Sequence, residues 1–248
     1  MRLEVFFGAQ ELTPGDVNGR VVAVIDVLRA ATTIAVALHN GAKNVVPFDS
    51  QDDVVIRSKS FERSLVRLAG ERKMLPIPGF DFGNSPREFT REAVEGKTVL
   101  LATTNGTGVL VGLQGARDVA VAAYVNFSAV LAMLRAAARS GTDISIIGAG
   151  RERQFSLEDA ACAGRYVRHI AKRLPGAELN DAARASAMID RRYGESLDRL
   201  FRESSHGRAL VEAGFAEDLL VCAAVDTYPV VPIYQERQIT KLGPERER

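Results

Sequence analysis

The chain has 248 residues, 46% of them hydrophobic and 25% charged, the composition of a globular protein with a sizeable core. Its 32 lysines and arginines balance 31 acidic residues, so no bulk field draws it to nucleic acid or an anionic membrane, and any anion must be held by local groups. Two cysteines are too few for a disulfide framework, and no stretch approaches the roughly 18 uninterrupted apolar residues of a membrane span, so a reduced, cytoplasmic setting is expected.

Val21-Val22-Ala23-Val24-Ile25 is an apolar, β-branched run, as for a strand covered on both faces, and it stops at Asp26. Residues 28–38 read as helix, ended by Asn40-Gly41, and residues 44–48 return to strand, completing one βαβ unit. Ser50 with Asp53 predicts a capped helix to about Leu68, followed by a short strand at 74–77 and a glycine-rich loop. Ser85-Pro86-Arg87-Glu88 carries the N-cap, N1 and N3 residues of another helix start. Strands are predicted at 98–102, 119–123 and 144–147, with a helix at 128–139. Ser156 and Asp159 cap a helix to about Lys172, residues 180–220 read as mostly helical, and 243–248 as a solvated tail. Residues 230–234, bracketed by Pro229 and Pro232, fit only an edge or terminal strand.

Ala31-Thr32-Thr33 leading to Gly41-Ala42-Lys43-Asn44-Val45 is echoed by Ala102-Thr103-Thr104 leading to Gly115-Ala116-Arg117-Asp118-Val119. The expected fold is therefore α/β, a three-layer α/β/α arrangement with a mainly parallel sheet, forming a single unit of two related lobes.

In such a sheet ligands collect at the carboxyl ends of parallel strands. Asp26 leaves a buried strand at that point, as metal ligand, nucleophile or base, or else as a cap or a partner for Arg29. Arg29 offers a bidentate fork to a phosphate or sulfonate. Asn84, Ser85 and Arg87 gather an amide, a hydroxyl and a guanidinium at a helix start, with Ser85 also explained as an N-cap. Thr103, Thr104, Asn105, Gly106 and Thr107 form a polar nest suited to phosphate oxygens. Glu158 and Asp159 share the first turn of a helix and, with Asp26, supply the oxygen ligands Mg²⁺ prefers; Asp159 also reads as a capping residue. His206 and Arg208 offer a proton donor and an anion contact, or a surface cap. With three histidines in all, a histidine-rich zinc site is not expected. Gly148-x-Gly150 lacks the third glycine of a dinucleotide fingerprint, and Cys162 and Arg168, spaced like a cysteine-phosphatase loop, fall within a helical pattern.

Taken in order, five blocks resemble one family, the 2-phosphosulfolactate phosphatases (ComB-type). They are residues 24–33 (VIDVLRAATT), 83–88 (GNSPRE), 103–107 (TTNGT), 155–159 (FSLED), and Ser205-His206-Gly207-Arg208 with Gly214-Phe215-Ala216-Glu217-Asp218. The resemblance implies Mg²⁺-dependent hydrolysis of (R)-2-phospho-3-sulfolactate to 3-sulfolactate and phosphate, a step towards coenzyme M, on two related α/β lobes. Such a substrate carries a carboxylate and a sulfonate beside its phosphate, for which Arg87, Arg151 and Arg208 are candidate contacts. The expected partner is a small anionic phosphoester, with neither nucleic acid nor membrane, and a homodimer is compatible. Direct attack by Asp26 and orientation of a metal-bound water both remain open. The rival readings are a phosphatase for another 2-phospho acid and a non-catalytic anion- or nucleotide-binding module.

Overall fold

A computed structural model describes residues 1–104, 109–110, 112–152 and 154–243. Its strands are β1 (Arg2–Phe6), β2 (Val21–Ile25), β3 (Asn44–Phe48), β4 (Val66–Arg72), β5 (Leu75–Pro76), β6 (Thr98–Ala102), β7 (Asp118–Ala122), β8 (Ile144–Gly148), β9 (Glu178–Leu179), β10 (Pro232–Gln235) and β11 (Gln238–Lys241). They form one sheet in the order β5-β4-β6-β3-β11-β10-β7-β2-β8-β1-β9. Two parallel blocks, β4-β6-β3 and β7-β2-β8-β1-β9, are joined by the antiparallel β10–β11 hairpin. The predicted three-layer α/β/α form with a mainly parallel sheet is what the chain adopts.

Helix α1 (Ala30–His39) explains how the blocks meet. Every residue from Ala30 to Leu38 is buried, so this helix is apolar all round, as only a helix enclosed by protein can be. It packs in one cluster with Val22 and Val24 of β2, Val45 of β3, Ala69 of β4, Val99 and Leu101 of β6, and Ile239 of β11. The sheet therefore wraps around it. The opposite face carries α2 (Gln51–Ser58) over the first block, and α4 (Phe127–Arg139), α5 (Leu157–Ala171) and the later helices over the second. A short α3 (Arg91–Val94) lies on the α1 side.

Four strands separate β6 from β2, about 24 Å in a flat sheet. Counted through the ladders, the two blocks also run in opposite directions. A twist of roughly 20–25° per strand accumulates to more than about 100° over five steps. Wrapped about α1, that twist swings the carboxyl ends of β2, β4 and β6 towards one another. Each copy of the threonine repeat spans the two blocks, one from β2 to β3 and the other from β6 to β7.

Three local expectations are corrected. The helix from Ser50 stops at Ser58, and residues up to 72 turn and enter β4, because pairing with the apolar β6 buries Val66 and Ala69 where a helix would expose half of them. Ser85 opens only a 3-10 turn (Pro86–Glu88), since Thr90 starts α3 afresh by accepting the Ala93 N–H (3.3 Å) and Gly96, at φ 72°, ends the segment. Strand β10 lies mid-sheet, not at an edge. Pro232 is tolerated as its first residue, and the ladder to β7 has a single paired position, Ile233 with Ala120.

The remaining helices are α6 (Asp181–Tyr193), α7 (Leu197–Glu203), α8 (Ser205–Glu212) and α9 (Ala216–Ala223). Helices α5 and α6 pack closely because Gly164 has no Cβ; one added there would run into the Ser186 carbonyl oxygen. Gly164→Ala is expected to destabilise by about 1–3 kcal/mol through overpacking, seen as a lower urea midpoint with an unchanged m-value. An unchanged midpoint would show the helices free to part. No helix among the described residues is long and apolar enough to cross a membrane.

Candidate active site

The carboxyl ends of β2, β4, β6 and β8 open onto a cavity of about 260 Å³. Asp26, Leu28 and Arg29 line it after β2, Glu71, Lys73 and Met74 around the β4–β5 turn, Thr103 and Thr104 after β6, and Arg151 and Glu152 after β8. Asn84 and His206 complete the wall.

Asp26 is buried at 6% exposure, with Oδ1 accepting the Ala30 N–H (3.2 Å) at the start of α1. Burial raises its pKa to about 6; His206 and the Ala30 N–H oppose the shift, while Glu71 and Glu158 add to it. Glu158 is 1% exposed and faces His206, with Oε1 3.2 Å from Nδ1. Burial works against its charge, but the hydrogen bond and charge of His206 prevail and lower its pKa. An ionised carboxylate only accepts, which assigns the proton of this bond to Nδ1 and leaves Nε2 as the free ring nitrogen. Asp159 is raised well above the ordinary value by burial, then by Asp26 and Glu158. Its oxygens accept the N–H groups of Val27 (2.9 Å) and Gly150 (3.2 Å), fastening the ends of β2 and β8 together.

Arg29 meets Asp218, not Asp26. Nη1 donates to Asp218 Oδ2 (2.7 Å), Nη2 to the Met74 carbonyl (3.1 Å), and the guanidinium lies 4.3 Å from the Phe215 ring centre. Ser85 lies outside the cavity and donates Oγ–H to the other Asp218 oxygen (2.6 Å). The α1 threonines also brace rather than line: Thr32 donates to the Val27 carbonyl (2.9 Å) and Thr33 to that of Asn84 (3.0 Å). Arg87 and Arg208 are exposed and outside the cavity, Arg208 donating to the Glu203 carbonyl (2.6 Å). Asn105, Gly106 and Thr107 lie outside the described residues. Cys162 is buried inside α5 with its thiol pushed well up by burial, incompatible with a nucleophilic thiolate.

A model of the family described as 2-phosphosulpholactate phosphatase matches residues 7–237. The chain belongs to that family. Among its relatives are proteins named "Probable 2-phosphosulfolactate phosphatase" in Symbiobacterium thermophilum (41% identical over 92% of this chain and 96% of its own length), Caldanaerobacter subterraneus (37%; 94% and 95%) and Clostridium acetobutylicum (33%; 96% and 100%). As a member of the 2-phosphosulpholactate phosphatase family it is an enzyme, a phosphoric monoester hydrolase.

Sequence reasoning missed Glu71 and Lys73. Glu71 is buried, and its two oxygens accept the N–H groups of Thr104 (2.7 Å) and Met74 (2.8 Å), tying the end of β6 to the β4–β5 turn. The available signal was the short gap before the predicted strand at 74–77; the hairpin loop is Lys73-Met74, and the helix reading of residues 50–68 obscured the strand that enters it.

Among the described residues no group of three or more His, Cys, Asp or Glu is arranged to hold a metal ion, Asp26, Glu158 and Asp159 included. Neither Glu158 nor Asp159 lines the cavity. Mg²⁺, however, commonly takes only one or two carboxylates and completes its shell with water and substrate phosphate. Asp26 and Glu71 face the same cavity, and Asn84 Oδ1 is buried with no hydrogen-bond partner among the described residues. That donor set fits such a cation.

Proposed function

We propose that the chain hydrolyses (R)-2-phospho-3-sulfolactate to 3-sulfolactate and phosphate with Mg²⁺ held at Asp26, Glu71 and Asn84. The observation that carries the reading is Asp26 itself, a carboxylate raised to about 6 in a cavity that also presents Arg29, Lys73, Arg151 and His206. Buried acid and cations in one small cavity are what a polyanionic phosphoester needs. Bound Mg²⁺ would neutralise charge on the transferring phosphoryl group.

The chain's own groups supply the rest. Arg29, fixed by Asp218, presents its remaining N–H groups without rearrangement, which is how preorganised donors stabilise developing charge. Glu158 holds His206 through Nδ1–H, so that in its imidazolium form the Nε2–H can pass its proton to the leaving alkoxide and leave the neutral ring. The Glu71 contact to Thr104 N–H fixes the β6 turn beside them. In this reading the product leads towards coenzyme M in the cytoplasm, and the two buried free thiols suit a reducing compartment.

The test is phosphate release from 2-phosphosulfolactate and a panel of other 2-phospho acids, before and after chelation. Turnover should fall at least about tenfold on metal removal and return with added Mg²⁺. Full activity in excess chelator would remove the metal from the proposal, and preference for a different ester would reassign the substrate.

A further inference from the structure

Lys73 and Met74, between β4 and β5, take left-handed φ values of 51° and 70°, and the strand register pairs Arg72 with Leu75 across them. This is the pattern of a type I′ hairpin, whose central positions favour Asn, Asp and Gly because a side chain crowds the backbone at positive φ. Lysine and methionine are poor choices for it. The turn is nevertheless held from several sides. The Met74 N–H donates to Glu71 Oε2 (2.8 Å), its carbonyl accepts from Arg29 Nη2 (3.1 Å), and its side chain packs against the larger hydrophobic cluster. Lys73 is thereby set in the cavity wall. Strained positions of this kind gather at ligand clamps, where the surrounding structure enforces them.

The cavity's charges give the turn a use. Arg29 is matched by Asp218 and His206 faces Glu158, which leaves Lys73 and Arg151 as the cavity-lining cations without an ion-pair partner among the described residues. A 2-phospho-3-sulfo acid brings two acid groups besides its phosphate. Arg151 offers the planar fork that matches a carboxylate, whereas an ammonium is a point charge that accepts a tetrahedral anion from any side. We infer that Lys73 is a specificity-determining residue, binding the sulfonate on C3 and so separating the sulfonated ester from 2-phospho acids without a second acid group. The inference rests on the phosphatase reading above and goes beyond it by naming the residue that reads the substrate's far end.

The experiment compares kcat and KM on 2-phosphosulfolactate and 2-phospholactate, which differ by the sulfonate alone. Lys73→Gln should cut kcat/KM on the sulfonated ester about 10- to 100-fold, mainly through KM, and change the other by less than about threefold. Lys73→Arg should restore most of the loss. Lys73→Asn, which installs a residue the turn prefers and leaves Met74 packed, should melt no lower than the parent yet show the same selective defect. Equal losses on both esters, or none on either, overturn the assignment. A wild-type enzyme that shows no preference for the sulfonated ester overturns the substrate reading and the Lys73 assignment together, and that failure is visible before any variant is made.

Discussion

Asp26→Asn should reduce phosphate release by about 10³-fold or more while the melting temperature holds or rises. The two effects have one origin. The carboxyl goes from 3.8 to about 6 on folding, so the native state carries a penalty at pH 7 on the order of 3 kcal/mol, relieved only as pH falls through 6 towards 3.8. Asparagine keeps an oxygen for the Ala30 N–H and removes the charge. A gain of each kcal/mol would raise the melting temperature of a chain this size by about 2–4 °C. In the metal-free parent, Mg²⁺ binding should weaken with protonation below about pH 6, because the protonated acid is no metal ligand, whereas a bound cation holds the carboxylate charged to lower pH. Near-normal turnover in the Asn variant would remove Asp26 from the chemistry; normal turnover loss with a collapsed melting temperature would make it a structural group.

The second large effect should come from Asp218, which touches none of the cavity. It is 1% exposed, and its two oxygens receive Arg29 and Ser85. Asp218→Ala strands a guanidinium that is itself only 3% exposed, and removing one partner of a buried pair costs about 3–5 kcal/mol. Thermal melting should therefore drop by about 10 °C or more. Replacing both partners with apolar residues, as in Arg29→Met with Asp218→Leu, should recover much of that stability without recovering activity. A double variant that regained turnover would make Arg29 a purely structural cation.

Asp26 was legible in the sequence because five apolar residues end on it, and a strand buried on both faces can place a carboxylate only at its mouth. The adjacent pair Glu158 and Asp159 was legible as two carboxylates at a helix start beside the strand ends, but not as to what each would touch. Neighbours on a helix point about 100° apart, so one reaches His206 and the other the backbone of Val27 and Gly150. Arg87 and Arg208 looked equivalent to Arg151, since local sequence at a turn or helix start does not tell which way a guanidinium faces in the folded chain. Glu71 and Lys73 stayed hidden because a capping signal at Ser50 and a charged stretch after it fit a long helix. Only long-range pairing with β6 makes residues 66–72 a strand, and local propensity carries no record of a partner thirty residues away.

The β10–β11 hairpin also sets the order in which the molecule can be made. During synthesis, a chain that has emerged as far as Leu220 already owns both parallel blocks, yet the strands that bridge them are still to come. Until residues 232–241 slot between β7 and β3, no strand ladder joins the two blocks, and α1 with its contacts to Met74 and Asn84 is what holds the groups after β2 to those after β4 and β6. Contacts of such long sequence separation form slowly. A ribosome-bound chain short of that hairpin would thus hold every residue of the cavity before the sheet that joins its two sides is closed.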